Sequence, residues 1–206
     1  MQLSGHHKWG LVIYRTTYGD EAGWNRFLER LQACAADSLD IYSRTERLGP
    51  LLQWTVVDDP TLNSATTAVV QQHFRAWVQT RSVARDGPGA DADPMTLLSY
   101  IPRYRFCLCV DNVSIASLER KKIQDITRAT VVYSGLEAND MASQMSAEDL
   151  QELGDEGLTT ADLDNGGADD FSMLLNIQDY VSMYEEASRG VEWRTMYRRP
   201  PGMYQA

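Results

Sequence analysis

Residues 9–16, Trp-Gly-Leu-Val-Ile-Tyr-Arg-Thr, are β-branched and aromatic; within five residues the apolar period changes from that of a strand to that of a helix. Tyr18-Gly19-Asp20 forms a tight exit, and Asp20 is suited to cap the helix that follows over 21–38. In that helix Trp24, Phe27, Leu28, Leu31, Cys34 and Ala35 fall on one stripe. The change of period recurs along the first 128 residues. It limits the chain to strands alternating with helices that each bury one face.

The second strand is expected over 51–57 and ends at Asp58-Asp59-Pro60. Asn63 or Ser64 then caps a helix reaching about residue 80, with Val70, Phe74, Trp77 and Val78 inward. Residues 81–94 carry Gly and Pro signals and read as a surface loop. Residues 103–110 alternate: Tyr104, Phe106, Leu108 and Val110 on one face, Arg103, Arg105, Cys107 and Cys109 on the other. A short helix is expected after Ser114, a fourth strand over 129–133, and an amphipathic helix over 171–188. The predicted fold class is α+β, a two-layer sandwich of helices on a small mixed sheet. A ferredoxin-like arrangement fits the element count if residues 40–45 add a strand. The expected organisation is an α+β core over 1–136, an acidic, partly mobile excursion over 137–170, and a C-terminal helix and tail over 171–206 that pack back on the core.

Charge supports that division. The formal net charge is −10. Residues 129–188 hold 14 of the 29 acidic residues and no Lys or Arg, which leaves the remainder at 19 − 15 = +4. A basic face for nucleic acid or an anionic membrane is not expected from this balance. The acidic stretch reads as a solvated loop or as a docking arm for a basic surface. Three cysteines make a disulfide framework a poor fit and point to a reducing, cytoplasmic compartment. The apolar run 11–14 is too short for a signal-peptide core or a membrane span.

Four blocks stand out in combination: residues 9–31 (WGLVIYRTTYGDEAGWNRFLERL), the helix ending HFRAWV, the strand region RYRFCLCVDNVSIASL, and EWRTMYRRPP near the end. Their order and spacing resemble a large family of uncharacterised filamentous-fungal proteins of about 200 residues. That family has a Trp-Gly-x-Val-Ile-Tyr-Arg opening and a C-terminal Tyr-x-Arg-Pro-Pro. Members often carry Asp-Glu where this chain has Asp111-Asn112, and a Gly-Trp-Met-[Lys/Arg] block that is absent here. The resemblance covers about half of the chain. It implies a fungal, intracellular protein and no particular activity.

The sequence holds no GxGxxG, GxxxxGK[ST], GxSxG or HExxH. Cys107-x-Cys109 reads as two core thiols rather than a zinc half-site, and no metal or cofactor is expected. Residues 162–173 imitate a calcium loop, but Gly166 and Met173 stand where ligands are needed. Arg120-Lys121-Lys122 reads as a solvated helix end, and Arg198-Arg199 as contacts for the acidic stretch.

Candidate catalytic groups are His73, Tyr14 and Asp111. His73 is either a structural histidine at the edge of a stripe or a general base. Candidate ligand-binding residues are Arg15, Tyr18, Arg103 and Arg105, whose forked guanidiniums suit a carboxylate or phenolic ligand. The competing reading is strand-end salt bridging, such as Arg15 with Asp111. Function therefore reads as an interaction or binding protein for a small molecule or protein partner. The alternative is a cofactor-free acid/base enzyme on a small fungal metabolite.

Overall fold

Strand β1, Val12–Arg15, is buried along its whole length, and its neighbours explain why. The computed structural model describes residues 7–119, 126–136, 171–198 and 203–204. It contains a six-stranded mixed sheet. The other strands are β2 Thr55–Val57, β3 Phe106–Val110, β4 Arg128–Tyr133, β5 Ser172–Asn176 and β6 Met203–Tyr204. The order across the sheet is β2-β1-β3-β4-β5-β6. β1 runs parallel to both β2 and β3, whereas β4 is antiparallel to β3 and to β5.

Helices are α1 Glu21–Ile41, α2 Thr45–Leu48, α3 Thr67–Gln79, α4 Val83–Asp86, α5 Pro94–Tyr100, α6 Pro102–Arg105, α7 Asn112–Ala116, α8 Tyr180–Ser188 and α9 Trp193–Met196. None of the described helices is long and apolar enough to cross a membrane.

Register aligns one apolar row across four strands: Ile13, Leu108, Val131 and Met173. Against this face pack Trp24, Phe27 and Leu31 of α1 and Tyr180, Val181 and Tyr184 of α8. The opposite face carries Val12, Tyr14, Cys107, Cys109 and Val132, covered by Val70, Phe74 and Val78 of α3 and Leu97 and Leu98 of α5. Burial on both faces is what allows an uninterrupted run such as Phe-Cys-Leu-Cys-Val in β3. Each fully buried apolar side chain on these faces stabilises the fold by about 1.5–3 kcal/mol relative to exposure.

The α+β architecture of helices on a mixed sheet is the expected one, with a second helical layer on the far face. Among the described residues the chain order is β-α-β-α-β-α-β up to residue 136 and β-α-β from residue 171, which differs from the β-α-β-β-α-β of a ferredoxin-like unit. Residues 40–41 end α1 instead of starting a strand, and the turn closes at Ser43, in the left-handed region at φ 53°.

Two further differences have local causes. Pro102 sits at the first position of a helical turn, where its missing N–H costs nothing, so Arg103 and Arg105 lie in α6 and the strand starts at Phe106. Residues 172–176 form β5, because β4 and β6 offer them hydrogen-bonding edges on both sides, and the helix begins only at Tyr180. The expected caps hold at Asp20, which accepts from Gly23 N at 2.8 Å. At α3 the cap is Thr66 rather than Asn63 or Ser64. The segment 81–94 includes α4 and leads into α5, which Asp93 caps. The acidic stretch 137–170, the run 120–122 and the calcium-loop-like residues up to 170 lie outside the described residues. β5 and α8 share the core with β1, β3 and α1.

Candidate functional site

The sequence candidates divide between the two ends of the parallel strands. At the carboxyl end, Arg15 closes β1 with only 4% of its surface exposed. Its Nε donates to the Thr17 carbonyl at 3.0 Å, one Nη to Asp58 Oδ2 at 3.4 Å, and the other Nη to Glu21 Oε1. The guanidinium lies 4.4 Å from the Tyr18 ring centre and 5.0 Å from that of Trp24. The hydrogen bond to Glu21 raises its pKa further. The Tyr18 hydroxyl is pushed up to about 12 by burial and by Asp58. Ligands of open α/β sheets usually sit outside the carboxyl ends of strands. Here that position is taken by a guanidinium already held by two carboxylates.

Tyr14 points to the other face of β1. Its Oη lies 3.0 Å from Nδ1 of His73 on α3, with the rings edge-on at 5.4 Å. Burial raises the Tyr14 phenol far above its ordinary value, which favours its neutral form. Asp111 does not pair with Arg15. It caps α7, accepting from Ser114 N at 2.7 Å and Ser114 Oγ at 2.8 Å. The structure thus joins Arg15 with Tyr18, and Tyr14 with His73, and keeps Asp111 apart from both.

Arg103 and Arg105 lie at the opposite, amino end. Arg103, 1% exposed, donates to the Gly10 carbonyl at 3.0 Å and to Thr55 Oγ1 at 2.7 Å. Burial lowers its pKa, and the charge of Asp86 opposes that shift. Arg105 donates to the carbonyls of Ala187 at 3.0 Å and Val191 at 2.8 Å, tying the end of α8 to α6. These two are braces between backbone segments. Arg198 likewise donates to the carbonyls of Thr195 and Tyr197, each at 3.0 Å. Cys34, Cys107 and Cys109 are buried free thiols, and no described group of three or more His, Cys, Asp or Glu is placed to hold a metal ion.

Sequence reasoning passed over a groove at the amino end. It has a volume of about 220 Å³, the room of about seven liquid waters. Trp9, Leu48, Ile101, Pro102, Val181 and Tyr184 form its apolar wall; Lys8, Arg47, Tyr100, Glu185 and Ser188 form its polar side. The wall is rigid. Trp9 meets Tyr184 edge-on at 5.3 Å and donates from its indole nitrogen to the Leu48 carbonyl at 2.8 Å. Tyr180 accepts from Leu11 N at 2.8 Å beneath it. Gly10, at φ 113°, lets the segment leading into β1 approach the segment leading into β2 so closely that a Cβ would lie 2.6 Å from the Gln53 carbonyl oxygen. The contributing segments, 8–9, 47–48, 100–102 and 181–188, are far apart in the chain, so no spacing in the sequence joins them.

Glu185 pairs with Arg44, which lies outside the groove lining. Among the described residues neither Lys8 nor Arg47 pairs with a carboxylate. Among the described residues the groove therefore carries two cations without a carboxylate partner beside its apolar lining. No protein-family model, curated protein or solved structure matches this chain.

Proposed function

We propose that this chain is a non-catalytic binding protein that takes a small molecule in the amino-end groove. One observation carries the reading. The groove is a preformed apolar cleft with a few polar groups on one side, the usual make-up of a small-molecule site. None of Tyr14, Arg15, His73 and Asp111 lines it. The reading is compatible with the family resemblance carried by the sequence blocks, and with an intracellular protein that needs no cofactor, nucleic acid or membrane.

The second reading is a cofactor-free acid/base enzyme on a small metabolite. The 3.0 Å Tyr14–His73 contact favours it. In that case His73, on the exposed side of α3, would move the proton and Tyr14 would orient its ring.

A neutral aromatic probe, 2-naphthamide, separates the two. Calorimetric titration is expected to show saturable binding that Ser188→Trp, which fills the groove, removes without lowering the melting midpoint. Absence of binding would overturn the groove reading; binding that survives Ser188→Trp and disappears in His73→Ala would move the site to the Tyr14–His73 pair and favour the second reading.

A further inference from the structure

The ligand class can be narrowed by asking which charges at the groove are already answered. Glu185 is the acid on its lining, and Arg44 pairs with it from outside the groove. Lys8 and Arg47 also line the groove, and neither is paired among the described residues. In a protein of net charge −10 the lining of this groove thus holds two cations and one acid, with the end of the Lys8 side chain passing beside Gly87. The apolar lining includes Trp9 and Tyr184, both almost completely buried within the fold, while Leu48 and Tyr100 offer more open surface; Trp9 is held by its hydrogen bond to the Leu48 carbonyl.

Resting on the groove reading above, we propose that the occupant is a small amphipathic anion: an aromatic or alicyclic carboxylate whose ring lies along the apolar lining at Leu48 and Tyr100 and whose head group meets Lys8 or Arg47. A carboxylate satisfies either cation by charge-assisted hydrogen bonds, which are roughly twice as strong as neutral ones. Arg47 offers the planar two-donor fork and Lys8 a point charge. Recognition needs the ring as well as the charge. Lys8 and Arg47 stand at an open rim, where an inorganic anion would keep its water and gain little.

A matched set of probes tests this: 2-naphthoate, 2-naphthamide and 2-naphthylmethylammonium, which share one ring and differ in the charge of the head group. Titrated into the full chain at low salt, naphthoate is expected to bind about tenfold tighter than naphthamide, and the ammonium weakest. In the Lys8→Gln/Arg47→Gln double variant that preference should vanish while naphthamide affinity stays the same. Glu185→Gln releases Arg44 from its partner and should tighten naphthoate several-fold without changing naphthamide. Naphthamide binding as well as naphthoate, or a naphthoate preference that survives the double variant, overturns the anion proposal and leaves the groove reading standing. If none of the three probes binds, the groove reading itself fails and the proposal falls with it.

Discussion

At the carboxyl end of β1 a buried arginine is met by Glu21 and Asp58 and flanked by Tyr18 and Trp24. At the amino end Lys8 and Arg47 line a groove and meet no carboxylate among the described residues. On the proposed reading, a cation's availability, rather than its position at a strand end, is what singles out the groove. Arg15 looks like a ligand fork in sequence because it ends a strand and has aromatic and acidic neighbours. Those neighbours are also the groups that satisfy it. Lys8 and Arg47 look ordinary in sequence because the wall beside them is assembled from α5, α6 and α8.

The comparison breaks first if the amino-end braces are dispensable. Arg105→Ala removes the donors to the Ala187 and Val191 carbonyls and leaves them short of partners, one of them fully buried. A loss of about 3 kcal/mol or more is expected in denaturant unfolding. A loss below 1 kcal/mol would show that Arg105 is not a brace. Gly10→Ala belongs to the same class, because its new Cβ would meet the Gln53 carbonyl oxygen at a positive φ.

Arg15 should sit in the middle of the scale. Its partners are half-exposed or more, 67% for Glu21 and 52% for Asp58, so solvent screens much of the pairing. Arg15→Ala is expected to cost about 2 kcal/mol, mainly from the lost contacts with Tyr18 and Trp24. Naphthoate affinity per folded molecule should not change. A weakened affinity in a stable Arg15→Lys variant would move the binding site to the carboxyl end.

Alkaline pH gives a third, smaller effect. Burial pushes the Cys109 thiol up from 9.0 to about 11. The folded state holds the proton more tightly than the unfolded chain. Its contribution is full below pH 9 and is lost as pH rises toward 11. The melting midpoint should fall by several degrees between pH 8.5 and about 10.5, and Cys109→Ala should flatten part of that fall. A midpoint that rises over this range would contradict the assignment. Smallest of all, Tyr14→Phe is expected to cost about 1 kcal/mol, because His73 lies on the exposed side of α3 and water can replace the phenol.

Much of the fold was legible because it rests on local signals. The stripe Trp24, Phe27, Leu31 predicts α1 and its buried face, and Asp20 marks where it starts. The alternation in 106–110 predicts which of Phe106, Cys107, Leu108 and Cys109 share a face. What was not legible depends on partners distant in sequence. Residues 172–176 carry a pattern that suits a helix, and two neighbouring strand edges draw them into the sheet. Arg103 and Arg105 alternate like strand residues, yet Pro102 starts a helical turn there. The candidate site followed the same rule. Arg15 with Tyr18 was legible as a neighbourhood, because they are three residues apart. Its carboxylate partners were not, since Asp111 and Asp58 are equally plausible until the strands are ordered. The groove left no trace, for its walls meet only after α8 packs beside α5 and α6.

The measurement that tests the account most directly is an amide chemical-shift map of the full chain titrated with 2-naphthoate. The account expects the saturable shifts to cluster at Lys8, Trp9, Arg47, Ile101 and Tyr184, with Arg15, Tyr18, Glu21 and Asp58 unmoved. Shifts centred on Arg15–Glu21 and Asp58, with Trp9 and Tyr184 silent, would contradict it.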